Sequence, residues 1–201
     1  MKKTQSKQVG LVLAGGASSR MGRPKPLLHL SDGTPLGRVQ AELLRSAGCD
    51  PVNMVVGGAE EDVRRELGDT VSYVLNERWG RGRISSVQAG LRAAHPFVGC
   101  VLLPVDTAGV QADTIRWMLA AAVAGVLSVR PFYQGKRGLL CWISGVLYDP
   151  IMALDDASEK SARLDELLRP VEHRLDVEDA AVLNNINTPE AWAALCRGLE
   201  P

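Results

Sequence analysis

The sequence predicts an α/β fold: a single Rossmann-like three-layer domain, with a mainly parallel sheet and helices on both faces. Three observations predict it. Short apolar runs alternate with helix-patterned segments along the chain, which is the pattern of a parallel sheet with crossover helices. The first of these runs stops at a Gly-Gly pair, as a buried parallel strand does when it enters a tight loop. The composition, 46% hydrophobic and 23% charged over 201 residues, is that of one soluble globular domain, which at this size buries roughly 70% of its unfolded surface without staples.

Residues 9–14 form the first strand. Thr34 as N-cap and Pro35 at the first helical position open a helix that runs to about Ala47 and stops at Gly48, the usual asymmetry of helix ends. Residues 52–56 are a second strand. Residues 59–67 are a helix with Glu60/Arg64 and Glu61/Arg65 spaced for a solvated face. Residues 71–75 are a third strand, and a helix over about 85–94 ends before His95-Pro96. Residues 98–103 form a fourth strand, 111–124 a helix, and 126–129 and 138–143 two more strands. Asp156 and Glu159 have capping-box spacing, and Thr188-Pro189-Glu190 starts the final helix. Residues 1–7 are expected to be a disordered tail and 8–201 one domain.

Composition excludes several functions. The 23 basic and 23 acidic residues balance to zero net charge, so nothing draws the whole chain to nucleic acid or an anionic membrane. Cys49, Cys100, Cys141 and Cys196 are too far apart for a CxxC or zinc motif and are expected to be reduced and mostly buried. The first eight residues hold no apolar signal core, and no apolar run approaches a membrane span. The expectation is a cytoplasmic protein, a monomer or small homo-oligomer, with small-molecule partners.

Ligands of such sheets sit at the carboxyl ends of strands, and three strand ends carry chemistry. Residues 11–25 read Leu-Val-Leu-Ala-Gly-Gly-Ala-Ser-Ser-Arg-Met-Gly-Arg-Pro-Lys. A small-residue loop lets backbone N–H groups cradle phosphate, and Arg20 and Lys25 add charge beside it. The spacing is neither a Walker loop nor a dinucleotide fingerprint. Asp106 follows the fourth strand in Leu-Leu-Pro-Val-Asp-Thr, and a lone strand-end carboxylate suits magnesium shared with substrate phosphates. The third strand leads into Asn76-Glu-Arg-Trp-Gly-Arg-Gly-Arg-Ile-Ser-Ser. There Ser85 and Ser86 fit N-capping and ligand contact equally, and Trp79 fits either loop packing or a lid over a base.

The pattern Leu-x-Ala-Gly-Gly-x-Ser-x-Arg-Met-Gly-x-x-Lys resembles the signature of the MobA-like nucleotidyltransferases, the guanylyl- and cytidylyltransferases of molybdenum cofactor assembly and their relatives. The likeness extends through Asn-x-x-Trp-x-x-Gly and Ser-Ser, the strand-end Asp106, Gly135-x-Arg137-Gly138, and Asn-x-Asn-Thr-Pro-Glu at 185–190. It implies a fold of the nucleotide-diphospho-sugar transferase type. The implied reaction moves a nucleoside monophosphate from a nucleoside triphosphate, GTP rather than CTP, to a phosphorylated small-molecule acceptor, by default molybdopterin, with release of pyrophosphate. By the same resemblance Leu13, Ala14, Gly15, Gly16, Ser18, Asn76, Gly82 and Ser86 bind nucleotide. Arg20 and Lys25 bind phosphates and act in catalysis. Asp106, with Asn185 as a second candidate, holds Mg2+.

The chain departs from the family pattern in places. Asn185 and Asn187 stand where many relatives carry an acid, and Leu139-Leu140 replaces His-Pro. Arg83 replaces a Met and, with Arg78 and Arg81, forms either a basic patch for an anionic acceptor or a set of solvated loop arginines. His29, His95 and His173 are expected to be structural or surface residues, because an ionised phosphate nucleophile needs no general base. Alternative readings are a cytidylyltransferase for molybdopterin or for a sugar or polyol phosphate, a non-catalytic nucleotide-binding module, and a dinucleotide-dependent oxidoreductase. The last is opposed by the absence of G-x-G-x-x-G.

Overall fold

Strand β1 (Gln8–Ala14) is the hub of the sheet. Its two neighbours, β2 (Val52–Val56) and β4 (Gly99–Pro104), both run parallel to it. Beyond β2 lies β3 (Ser72–Leu75), also parallel. The computed structural model describes residues 7–16, 21–154 and 162–198. The chain builds outward from β1 through β2 to β3, then returns to the other side of β1 as β4. This reversal puts the topological switch point, and therefore the ligand crevice, between the ends of β1 and β4.

Past β4 the sheet changes character. β7 (Cys141–Ser144) pairs antiparallel with both β4 and β5 (Ser128–Tyr133). β5 also makes a hairpin with β6 (Lys136–Arg137) and a parallel pair with β8 (Glu172–Asp176). The sequence pattern places the second and third strands well but misses β6 and β8. β8 reads Glu-His-Arg-Leu-Asp and has no apolar alternation, as befits a strand at the sheet margin protected by charge.

Helices α1 (Leu36–Ser46), α2 (Glu60–Leu67) and α4 (Ala112–Ala121) send Leu36, Leu44, Val63, Ile115 and Met118 into one face of the sheet. Helices α3 (Arg83–Ala94), α5 (Tyr148–Met152) and α6 (Ala162–Leu168) send Val87, Leu91, Ile151, Leu164 and Leu168 into the other. Alternate residues of β1 serve the two cores, Val12 and Ala14 on one side and Val9, Leu11 and Leu13 on the other. A fully buried strand in a three-layer sandwich has this double burial. The last helix, α7 (Pro189–Gly198), starts where expected, and Thr188 Oγ1 accepts a hydrogen bond from the Ala191 amide at 3.3 Å.

Two expected helix starts move. Pro35, not Thr34, caps α1, because the chain bridges back on itself: Leu30 N donates to Thr34 O at 3.0 Å and His29 pairs with Pro35. α3 begins at Arg83, two residues early, with Gly82 as its cap at φ 90°. In α2 the Glu60–Arg64 pair forms at 2.7 Å, but Arg65 pairs with Asp62. The Asp156/Glu159 capping box lies outside the described residues. Cys49, Cys100 and Cys141 are buried free thiols and Cys196 is partly buried. Burial pushes the Cys49 thiol up to about 12, which keeps it protonated and inert. His95 stacks on Tyr148 with ring centroids 4.2 Å apart, and His29 Nε2 lies 3.1 Å from Glu66.

A charged network fastens the β5–β8 margin. Arg130 on β5 is 1% exposed. Its Nε donates to Glu172 Oε2 at 2.8 Å, and its Nη1 donates to the Gly138 carbonyl at 3.1 Å. Arg137 donates to Glu172 Oε2 at 2.7 Å and to Asp165 Oδ1 at 2.9 Å. Burial raises both acids, but the Arg137 hydrogen bonds and the charges of Arg130 and Arg137 outweigh it, and both carboxyls titrate below their ordinary range.

Two consequences are measurable. A carboxyl with a depressed folded pKa stabilises the fold above its unfolded value of about 4, and that contribution disappears as pH falls through the folded value. Urea unfolding should therefore show a stability plateau above roughly pH 5 and a loss below about pH 4. Arg137→Gln should flatten that loss; an unchanged acid limb would contradict the network. Arg130→Met should cost about 3 kcal/mol, because it strips a buried ion pair of one partner; a loss well under 1 kcal/mol would contradict its structural role.

Candidate functional site

Where β1 and β4 end, the chain encloses a cavity of about 330 Å³. Leu13, Ala14, Gly15 and Gly16 line one wall; Pro104, Val105 and Asp106 line the next. Gly82, Arg83 and Ser86, at the start of α3, form a third, with Lys25, Trp79, Leu139 and Asn185 completing the enclosure. Most residues singled out by sequence therefore meet in one place. Ser18 and Arg20 lie outside the described residues.

Lys25 and Asp106 form the polar centre. Lys25 Nζ donates to Asp106 Oδ2 at 2.7 Å and to Asn187 Oδ1 at 2.7 Å. Asn187 Nδ2 in turn donates to Asn185 Oδ1 at 2.7 Å. The lysine and aspartate side chains are 13% and 21% exposed, so their attraction is stronger than that of a surface pair.

Asp106 is held from several sides. Val105 N donates to Leu13 O at 3.1 Å, and Ile186 N donates to Asp106 O at 3.0 Å. Buried Gln40 of α1 donates from Nε2 to the carbonyls of Val105 and Thr107, at 3.1 and 3.0 Å. Asn184 Nδ2 donates to Ala108 O at 2.8 Å. Gln40 and Asn187 are positioning residues that sequence reasoning did not assign. Gln40 left a faint signal, a polar side chain on the apolar stripe of an amphipathic helix.

Asn76 stands differently from its expected place. It is buried and does not line the cavity. Its Nδ2 donates to Ser85 Oγ at 2.9 Å and to Ser86 Oγ at 3.0 Å, and its Oδ1 accepts from Arg78 N at 3.0 Å. Ser85 Oγ donates to the carbonyls of Gly82 and Arg78. The two serines therefore do not cap α3. Ser85 and Asn76 brace the loop from behind, and Ser86 faces the cavity.

Trp79, 38% exposed, lies across the end of β2. A Cβ on Gly57 would sit 2.7 Å from the Trp79 side chain and 2.5 Å from the Gly15 carbonyl. Only glycine allows the strand ends and the indole to approach this closely. A Cβ on Gly15 would sit 2.8 Å from Ser86 Oγ, so the first loop and the start of α3 also touch.

The arrangement offers phosphate a cation, a glycine-walled loop and the N-terminus of a twelve-residue helix. It also fits a divalent metal of the magnesium type. Such an ion takes one or two carboxylates and completes its shell with substrate oxygens and water. Asp106 is one such carboxylate, with the neutral oxygen donor Asn185 also lining the cavity. Among the described residues no three His, Cys, Asp or Glu side chains gather into a metal cage.

Comparison with known proteins identifies the family. The family model for the MobA-like NTP transferase domain matches residues 10–176. A probable molybdenum cofactor guanylyltransferase of Opitutus terrae is 43% identical over 94 residues, covering 47% of this chain and 44% of that protein. The nicotine blue oxidoreductase of Paenarthrobacter nicotinovorans is 34% identical over 122 residues, 59% of each. The chain thus spans about half the length of these curated relatives. The crystal structure of an Rv0371c homolog from Mycobacterium sp. strain JC1 superposes with a TM-score of 0.80 at 29% identity, over 96% of both chains. With most of its length matched, the chain belongs to the MobA-like NTP transferase domain family.

Proposed function

We propose that the protein transfers a nucleoside monophosphate from a nucleoside triphosphate, GTP in the favoured reading, to a phosphorylated acceptor of the molybdopterin class, releasing pyrophosphate. One observation carries the reading: the Lys25–Asp106 pair, 2.7 Å apart, sits in a glycine-walled cavity at the switch point of the sheet. Phosphate and metal chemistry require one group of each sign at this place.

An acceptor phosphate oxygen attacks the α-phosphorus of the donor. The new P–O bond forms as the bond to the bridging oxygen breaks, and the electron pair leaves with pyrophosphate. The nucleophile is already ionised near neutral pH, so the side chains position and neutralise rather than move protons. When the triphosphate enters, Lys25 exchanges Asp106 and Asn187 for phosphate oxygens, and Asp106 becomes available as a metal ligand. Bound through Asp106 with Asn185 beside it, Mg2+ would supply Lewis-acid neutralisation of phosphate charge. Arg20 is assigned to the phosphates by sequence alone. The Gly15–Gly16 loop provides room for the donor to approach the backbone.

The oxidoreductase among the relatives raises hydride transfer as the competing reading. Dinucleotide binding on such a sheet places its strand-end acid about 20 residues past the glycine loop, on the cofactor ribose, and has no need of a carboxylate at the end of β4 held by a lysine, so the pair favours nucleotidyl transfer. Pyrophosphate release on mixing the protein with Mg–GTP and molybdopterin tests the choice. Asp106→Ala should abolish release while leaving the thermal midpoint nearly unchanged. Turnover retained within about tenfold, which is only ~1.4 kcal/mol of barrier, would contradict the assignment. Lys25→Ala should weaken GTP binding far more than GMP binding; equal losses in calorimetric titration would refute a role on the outer phosphates.

A further inference from the structure

We propose that Arg83 selects the acceptor: its guanidinium receives the phosphate of a phosphomonoester whose flat ring system lies against an apolar wall. The proposal rests on the nucleotidyl-transfer reading and goes beyond it by naming what recognises the second substrate.

Arg83 lines the same cavity as Lys25 and Asp106, and its hydrogen-bonding capacity is largely unused. Its Nε is buried with no hydrogen-bond partner among the described residues. Its Nη2 reaches the Leu139 carbonyl at 3.4 Å, at the long limit of a hydrogen bond. A buried donor left without a partner is costly, and an acceptor bound to this guanidinium would offset that cost.

The local charge balance points the same way. Asp165 and Glu172 are each engaged by both Arg130 and Arg137. Among the described residues, two cations meet two anions, and the charge of Arg83 is left over. It acts on Asp165 through space but forms no ion pair with it. Arg83 is also the first residue of α3, at the positive end of the helix dipole, where a cation is disfavoured and an anion favoured. A phosphate bound there would satisfy both the dipole and the guanidinium, whose planar fork donates two parallel bonds to it.

The surroundings define the rest of the ligand. Leu139, Val105 and Pro104 share the cavity with Arg83, with Ser86 and Asn185 in its polar lining. A flat aromatic phosphomonoester covers the hydrocarbon of these three residues more fully than a sugar phosphate does, whose extra hydroxyls would lose water against them.

The test titrates phenyl phosphate, glucose 1-phosphate and GTP separately into the wild-type protein, Arg83→Gln and Arg83→Lys. The arginine Nε–H resonances are followed by NMR and affinities by calorimetry. We expect phenyl phosphate to bind more tightly than glucose 1-phosphate and to shift the Nε–H signal that Arg83→Gln removes. Arg83→Gln should bind phenyl phosphate about tenfold or more weakly, with GTP affinity nearly unchanged. Arg83→Lys, which keeps the charge without the fork, should fall between. Unchanged phenyl phosphate affinity in Arg83→Gln would overturn the proposal. So would an equal loss for GTP, which would place Arg83 on the donor, or equal wild-type affinity for the two phosphomonoesters. A wild-type protein that ignores GTP would instead overturn the donor reading, and the phenyl phosphate comparison would still decide Arg83.

Discussion

The ammonium of Lys25 ties together three distant parts of the chain. It meets Asp106 after β4 and Asn187 before α7, each at 2.7 Å, and Lys25 itself ends the first loop. A partly buried ion pair of this kind roughly breaks even between desolvation and attraction, so its value to stability is small. Its value to function is larger. It keeps a cation and a carboxylate facing each other at the one point of the sheet where the strand order reverses. The pair is also a placeholder: triphosphate can replace the carboxylate on the lysine, and a metal ion can replace the lysine on the carboxylate.

The rest of the site is organised so that this point does not drift. Gln40 and Ile186 grip the backbone around Asp106 from two elements. Asn76 grips the serines of α3, and Gly57 lets β2, the Gly15 carbonyl and Trp79 close upon one another. On the far wall the Arg130–Glu172–Arg137–Asp165 network ties β5, β6, α6 and β8 together. It fixes the Gly138 carbonyl and, by engaging both acids, leaves Arg83 charged toward the cavity. A structural network thereby sets the electrostatics of the proposed acceptor side.

Much of this was legible in the residues. β1, β2 and the strand-end loops carry their own punctuation in apolar runs that end at glycine or at Pro-Val-Asp, and the loop lysine and strand-end aspartate can each be given a role, one on phosphate and one on metal, although their contact cannot be read. What could not be read depends on partners remote in sequence. β7 runs antiparallel between β4 and β5, and β8 is a charged segment given strand character by the hydrogen bonds of β5. The strand expected over 126–129 stops short of Arg130, whose place inside β5 makes sense only once Glu172 stands beside it. Asn76 matched a nucleoside-contacting position, yet its amide turns to Ser85 and Ser86, a choice set by a loop fold that spacing does not encode. Local pattern thus located the chemistry, while long-range pairing decided which side chains face the cavity and which brace it.

The claim on which everything else rests is that the ends of β1 and β4 hold a nucleoside triphosphate. The most direct measurement is the thermal midpoint of the protein with GTP, CTP, ATP and UTP in turn, each with magnesium, because a ligand bound only by the folded state raises the midpoint by mass action. GTP should raise it most, and a matching concentration of GMP much less. No shift with any of the four triphosphates would contradict the account.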